Sequence, residues 1–219
     1  MNFKGLLRKI VQTFVLAGFF GFASLAGATA FDDFFRALAL DDAGTVRQLL
    51  NRGFPVNARD DKGQPALVLA LRAPAPQVLE LLVAQPGIDL EMATPAGETP
   101  LLIAALVGDA AWTRRLADLG AHLTSPSGWT ALHYAASSQN PEAVAVLLTR
   151  GAIVDARAPG GLTPLMMAAR YGDQRNVDLL LARGADPALL DARGASAADL
   201  ARLAERDRLA DRLARLPKR

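Results

Sequence analysis

Glycines recur along this chain at nearly constant intervals, and this repetition constrains the fold more than any other feature. One series precedes a Thr-Pro-Leu-like tetrapeptide at intervals of 34, 31, 33 and 33 residues: Gly63, Gly97, Gly128, Gly161 and Gly194. A second series marks the far end of each unit: Gly53, Gly87, Gly120, Gly151 and Gly184. A period of about 33 residues is typical of a solenoid, in which each repeat packs only against its neighbours. The period divides the chain into units 31–62, 63–96, 97–127, 128–160, 161–193 and 194–219.

The fifth unit shows what each repeat is expected to form. The hydroxyl of Thr163 suits the N-cap of a short helix, and Pro164 suits the first helical position, where no N–H is needed. A second apolar run ends at Gly184, which suits a glycine with positive φ just after a helix. Each unit therefore predicts two short helices that cannot bury both of their faces without neighbours.

The same unit reads GLTPLMMAARYGDQRNVDLLLARGADP, and the third and fourth units keep most of its glycines and its tetrapeptide. In these residues the chain resembles the ankyrin repeat family, over roughly 31–219. The resemblance implies an all-α ankyrin-repeat solenoid of about six helix-turn-helix units with short β-finger loops. It also implies that the first and sixth units are caps.

Two departures from the repeat carry predictions of their own. Pro65 stands where the second unit should have a capping Thr, so we expect this unit to be the least stable. Replacing Pro65-Ala66 by Thr-Pro is predicted to stabilise the array. The interval from Gly120 to Gly128 is two residues shorter than in the other units, which predicts one shortened finger.

The N-terminal segment 1–30 has the pattern of a secretory signal peptide. Three basic residues are followed by an uncharged stretch over 10–30, and Ala28 and Ala30 form an A-x-A cleavage site before Phe31. The pattern predicts export to the periplasm and a mature domain of residues 31–219. The alternative is an uncleaved membrane anchor, because 21 uncharged residues could just span a bilayer.

Charge and cysteine content exclude several classes of function. The whole chain carries 24 basic and 22 acidic residues, and removing Lys4, Arg8 and Lys9 leaves 21 against 22. A mature domain that is nearly neutral and has no compact basic cluster is not expected to bind nucleic acid. The chain has no cysteine, which excludes disulfides and a thiol nucleophile.

The sequence offers little that could support catalysis or hold a cofactor. Phosphate-binding glycine loops and the G-x-S-x-G elbow are absent, and the only histidines are His122 and His133. A zinc site would need both histidines together with carboxylates. The resemblance implies instead that His133, in TALH, has a structural role at the start of a helix. We expect neither enzymatic activity nor a cofactor or bound metal.

The resemblance implies that a protein partner binds the concave face, which is made of the finger tips and the exposed sides of the first helices. Aromatic and arginine side chains are the commonest energetic anchors of interfaces. Trp129 and Tyr171 are therefore the leading candidates, and Trp112 is expected to be core. The complete set of predicted contact residues is Trp129, Tyr171, Arg170, Arg157, Leu106, Val107, Leu162 and Arg72.

These observations predict a non-enzymatic, monomeric protein-protein interaction module of the bacterial periplasm. Resemblance to exported bacterial ankyrin proteins suggests either a companion of a stress enzyme such as catalase or an immunity protein that neutralises a toxin. One alternative is a membrane-tethered scaffold whose N-terminal anchor stays attached. Another is a weak metal-dependent hydrolase built around the two histidines.

Overall fold

The computed structural model describes residues 29–217, and the chain in this range forms twelve α-helices in six consecutive pairs. A single 3₁₀ turn covers Pro159–Gly161, and the only β-structure among these residues is two isolated bridges. The predicted all-α repeat array is confirmed. The helices α1 to α12 are, in order, Ala30–Ala39, Ala43–Asn51, Ala66–Arg72, Pro76–Val83, Pro100–Val107, Ala110–Asp118, Ala131–Ser137, Pro141–Thr149, Pro164–Tyr171, Gln174–Ala182, Ala197–Leu203 and Asp207–Ala214.

The predicted signal peptide lies outside the described residues, apart from Thr29 and Ala30. These two residues begin α1, because the Thr29 hydroxyl accepts a hydrogen bond from the Asp32 N–H at 3.2 Å. The first helix therefore starts one residue before the predicted domain boundary. No helix between residues 29 and 217 is long and apolar enough to cross a membrane.

The helices lie in two rows. The first helices of the pairs (α1, α3, α5, α7, α9 and α11) pack successively against one another, and each also packs on its own partner helix. Second helices form the other row, with α2 against α4, α6 against α8 and α8 against α10. Every unit therefore buries its apolar surface against the units beside it, as a solenoid requires.

Small side chains make the close approach of the first helices possible. The fourth and fifth units each carry an Ala-Ala pair on the first helix, and all four of these alanines are fully buried: Ala135, Ala136, Ala168 and Ala169. In the third unit Leu101, Leu102 and Ile103 are also fully buried. This dense packing between neighbouring units supplies most of the core.

Besides Thr29 on α1, side chains cap three more of the first helices in the expected way. Thr130, Thr163 and Ser196 each accept a hydrogen bond from the backbone N–H three residues later. Pro65 provides no side-chain cap, as predicted for the second unit. The third unit also lacks this bond, which the sequence does not predict: Thr99 is fully buried and its hydroxyl oxygen has no hydrogen-bond partner.

The predicted benefit of a Thr-Pro pair in the second unit needs a correction. The Ala66 N–H donates to the Ala58 carbonyl at 2.9 Å, and a proline at position 66 would remove that donor. The fourth unit shows the same arrangement, with the Ala131 N–H donating to the Leu123 carbonyl at 2.8 Å. The better template for the second unit is therefore Thr-Ala.

The C-terminal end of several first helices is completed by the following unit. The amide of Asn176 donates to the carbonyls of Ala135, Ala136 and Ser138 at 3.3, 3.1 and 2.8 Å. One unit later, the guanidinium of Arg206 donates to Ala168, Ala169 and Gly172 at 2.8–2.9 Å. The N–H groups of Ser138 and Gly172 already donate to Ala135 and Ala168, so the closing residues chiefly supply donors to the carbonyls of Ala136 and Ala169.

Gly172 lies at one of these junctions because no other residue fits there. A Cβ atom at this position would lie 2.0 Å from the Ala136 carbonyl oxygen of the preceding unit. Its backbone has φ −82° and ψ 174°, so the requirement for glycine comes from close approach rather than from a positive φ.

Candidate protein-binding surface

Five finger tips share one geometry. In each, the backbone N–H of the first tip residue donates to the carbonyl four residues later at 2.8–2.9 Å: Asp60 to Gln64, Thr94 to Glu98, Ser125 to Trp129, Ala158 to Leu162 and Asp191 to Ala195. The third tip is therefore formed like the others. The two residues that are missing between Gly120 and Gly128 fall before the tip, since Ser125 follows its glycine by five positions and Asp60 follows Gly53 by seven.

We call the finger tips and the first helices beside them the finger-side surface. Trp129 lies at its centre, where the indole is partly buried and packs edge-on against two rings of α7. Its centroid is 5.5 Å from that of His133 and 6.0 Å from that of Tyr134. The indole thus joins a finger to its own first helix and keeps part of its surface in contact with solvent.

Tyr134 belongs to this surface and is missing from the sequence-based set. Burial, reinforced by the nearby Glu98 carboxylate, raises the pKa of its hydroxyl to about 12. The corresponding position, four residues after the cap, holds Leu69, Ile103 and Met167 in the second, third and fifth units. A tyrosine at a position that is otherwise apolar was the signal that could have identified it.

Arg72 lies at the other end of the surface and is held by two polar side chains. It donates to the Glu98 carboxylate at 2.9 Å and to the Gln64 side-chain oxygen at 3.1 Å. Gln64 belongs to the same unit and Glu98 to the finger of the next one. This predicted contact residue therefore forms a polar link between two units, and its charge is paired with that of Glu98.

Arg170 and Tyr171 stand together at the end of α9. The Arg170 guanidinium lies over the Tyr171 ring, 5.0 Å from its centroid, which is a cation–π geometry. Burial raises the pKa of the Tyr171 hydroxyl. Leu162 is partly buried against the core, and its carbonyl accepts a hydrogen bond from His133.

Arg157 bridges two neighbouring fingers. Its guanidinium donates to the carbonyl of Leu190 in the next finger at 3.1 Å and lies 3.5 Å from that of Gly161 in its own finger. Arg59 makes the same bridge in the first finger, to Gly63 and Ala93. The bridge gives this predicted contact residue a structural role. Its side chain is nevertheless exposed and accessible to a partner.

The two apolar candidates of the third unit differ in accessibility. Val107 keeps 47% of its surface exposed, whereas Leu106 is partly buried and packs against the core. Val107 is therefore the member of this pair that offers apolar area to a partner. Trp112, expected to be core, is only 8% exposed and lies in the row of second helices. It borders a groove of ≈ 320 Å³ between α4 and α6.

The two histidines have separate roles. His133 is fully buried and lies 2.7 Å from the Thr130 hydroxyl through Nδ1 and 3.0 Å from the Leu162 carbonyl through Nε2. A carbonyl can only accept, so Nε2 carries the proton and Nδ1 accepts from Thr130. Burial lowers the pKa of His133 to about 4. This geometry supports the structural role that the resemblance implies.

His122 is exposed on a finger base, with Nδ1 3.6 Å from the Glu91 carboxylate. Between residues 29 and 217 no group of three or more histidine, aspartate or glutamate side chains is arranged to hold a metal ion. The buried His133 uses both ring nitrogens in hydrogen bonds, so it has no free nitrogen for a ligand.

The sequence and the fold are both similar to those of known ankyrin-repeat proteins. A family model described as three copies of ankyrin repeats matches residues 114–191. Neurogenic locus notch homolog protein 4 of Homo sapiens is 42% identical over 93 residues, which are 41% of this chain and 5% of that protein. Neurogenic locus notch homolog protein 2 of Homo sapiens is 33% identical over 112 residues, or 50% of this chain and 4% of that protein. The chain thus spans about a twentieth of the length of these relatives.

A solved structure extends the match to most of the array. It is the complex of the predatory endopeptidase Bd0816 from Bdellovibrio bacteriovorus with the immunity protein Bd3460. The similarity is to the immunity protein, with a TM-score of 0.73 and 25% sequence identity, and covers 88% of this chain and 100% of that one.

Proposed function

We propose that this ankyrin-repeat protein is a non-enzymatic immunity protein that binds an exported endopeptidase on its finger-side surface and neutralises it. The observation that carries the proposal is the structural likeness to an immunity protein bound to an endopeptidase, because that likeness extends over the whole of the immunity chain. The periplasmic location is part of the proposal and rests on the signal-peptide pattern of residues 1–30.

The surface has the composition that an interface needs. Trp129, Tyr134 and Tyr171 offer rigid aromatic area, Val107 adds exposed apolar area, and Arg170 adds charge. Tip hydrogen bonds and the Arg157 bridge hold the fingers in place before any partner arrives. A preformed surface loses little conformational entropy on binding, which favours tight inhibition.

Co-purification from a periplasmic extract tests the proposal, with the chain as bait. The parent should retain an endopeptidase, and the double variant Trp129→Ala/Tyr171→Ala should lose it. Arg114→Ala/Arg115→Ala is the matched control, because both arginines are exposed on α6 in the other row of helices. Melting temperatures of all three proteins show whether loss of binding reflects loss of fold.

Activity of the captured protein completes the test. Its hydrolysis of peptide bonds is measured alone and with an equal amount of the chain. The proposal expects hydrolysis that is abolished by the parent and persists with the double variant. A captured protein without hydrolytic activity, or one that remains fully active in the complex, would refute the immunity role.

A further inference from the structure

Because the units repeat, two arginines at equivalent positions, Arg72 and Arg170, can be compared directly. Arg72 and Arg170 both lie seven residues after the N-cap of their first helix, at Pro65 and Thr163 respectively. They therefore occupy equivalent places on the finger-side surface, three units apart. Their surroundings differ in charge.

The chain supplies its own partners to Arg72. The residue after each tip glycine faces this position: Gln64 in the same unit and Glu98 in the next unit both bind the Arg72 guanidinium, at 3.1 and 2.9 Å. A hydrogen bond between an arginine and a carboxylate is among the stronger polar contacts in proteins. This arrangement is a filled carboxylate site.

Around Arg170 both partners are replaced by apolar residues. The residues at the places of Gln64 and Glu98 are Leu162 and Ala195. Within residues 29–217, Arg170 forms no ion pair with a carboxylate. The Tyr171 ring supports its guanidinium by a cation–π contact, which holds it in position without neutralising it.

Two further arginines belong to the fingers on either side of this place. Arg157 binds only backbone carbonyls of the described chain, and Arg193 lies on the following finger tip, close enough for its charge to act on Tyr171. Arg193 is itself paired with the carboxylate of Asp191, whose side chain is 2% exposed. This carboxylate lies 3.6 Å from Arg193 and accepts hydrogen bonds from the backbone N–H groups of Arg193 and Ala195.

We propose that Arg170, flanked by Arg157 and Arg193, is an open carboxylate site that receives a glutamate or aspartate side chain from an acidic segment of the protein partner. The partner carboxylate takes the place that Glu98 occupies beside Arg72. This inference deepens the proposed function, on which it rests for the existence of a protein partner. It predicts that the segment of the partner that docks beside Trp129 is negatively charged.

A labelled octaglutamate peptide tests the site without knowledge of the partner. Its binding to the purified chain is followed by fluorescence anisotropy at low and at physiological ionic strength, with octalysine as the opposite-charge control. We expect octaglutamate to bind at low salt, octalysine not to bind, and Arg170→Gln to weaken octaglutamate binding by about tenfold. Arg183→Gln, which alters an exposed arginine on the second-helix side, should leave the affinity unchanged.

Two variants use the filled site as a template. Ala195→Glu places a carboxylate where Glu98 stands relative to Arg72, so it should close the site and weaken octaglutamate about as much as Arg170→Gln does. It should do so without lowering the melting temperature, which separates occupation of the site from unfolding. Glu98→Ala should open the equivalent site at Arg72 and raise the amount of peptide bound.

The outcomes separate this inference from the proposed function. Equal binding of octaglutamate by the parent, Arg170→Gln and Ala195→Glu overturns the carboxylate site even if an endopeptidase is captured. A captured endopeptidase whose affinity is unaffected by Ala195→Glu overturns it as well. Peptide binding that depends on Arg170 supports the site even if the captured protein is not an endopeptidase.

Discussion

Protonation of one buried histidine should make this array unusually sensitive to mildly acidic pH. In the folded chain His133 is neutral, with Nε2 donating to the Leu162 carbonyl of the next unit and Nδ1 accepting from the Thr130 hydroxyl. A proton on Nδ1 would turn an acceptor into a donor and put a charge on a fully buried side chain. The perturbation therefore acts at the junction of the fourth and fifth units.

The size and sign follow from the two pKa values. His133 has a pKa of about 4 in the folded chain and 6.5 as its ordinary value. Between these values the unfolded chain binds a proton that the folded chain does not, so the free energy of unfolding falls as the pH falls. The slope is about 1.4 kcal/mol per pH unit, and the loss between about pH 7.5 and about pH 5.0 is about 2 kcal/mol.

Urea denaturation at these two pH values measures the effect, with His133→Met as the test variant. Methionine already occupies the equivalent position in the fifth unit, as Met166, and is fully accommodated there. We expect this variant to be less stable at neutral pH, because the Leu162 carbonyl loses its donor. Its free energy of unfolding should, however, lose the dependence on pH over this window.

His122→Gln is the matched control, since it removes the exposed histidine and should keep the pH dependence of the parent. Several aspartates have pKa values lowered by hydrogen bonds, and they release their stabilisation only as the pH falls below their ordinary value of 3.8. The window above pH 5 therefore isolates the histidine. If His133→Met and the parent lost equal stability on acidification, the buried neutral histidine would not be the cause.

Three further predictions concern the stability of the array. Gly172→Ala should lower the free energy of unfolding by about 3 kcal/mol or more, because its Cβ would strike the backbone of Ala136. Gly44→Ala in α2, whose Cβ would meet only the Asp42 side chain at 3.2 Å, should change it by less than about 1 kcal/mol, and thermal melting compares the two. Pro65→Thr alone should raise stability by about 1 kcal/mol by adding a helix cap, and an unchanged urea midpoint would show that no cap forms. Asn176→Ala should cost about 2 kcal/mol in the same assay, since three carbonyls lose a buried donor.

Much of the fold could be predicted because the same helix-capping residues and turn glycines recur at equivalent positions in several units. Thr163 as a cap and Gly184 with a positive φ of 92° are both confirmed, and both depend on properties of single residues. Thr99 shows the limit: it has the right residue type at the right place, but its hydroxyl makes no cap bond. Whether the bond forms depends on the rotamer of the Thr99 side chain and on the packing around it, and neither can be read from the spacing of residues in the sequence.

The candidate surface was harder to predict, because contacts between units decide what each side chain has left to offer. Arg72 and Arg170 have the same place in the repeat, yet one is neutralised by Glu98 and the other is not. Arg157 is a predicted contact residue, and its bond to the Leu190 carbonyl, which joins two fingers, could not be read from the sequence. Tyr134 was missed because its position reads as core in the neighbouring units.

Because Asn176 and Arg206 complete helices of the preceding unit, the order in which the units are synthesised affects when each unit can fold. The Ala136 carbonyl near the end of α7 receives its donor only when Asn176 of the following unit has been made, and the Ala169 carbonyl of α9 waits in the same way for Arg206. A chain that appears from its N-terminus, whether from a ribosome or from a translocation pore, would therefore order each repeat one step behind the repeat being delivered. The last unit supplies the hydrogen bonds that complete the unit before it. A chain that stopped early would therefore end in an incompletely folded repeat rather than in a shorter complete array.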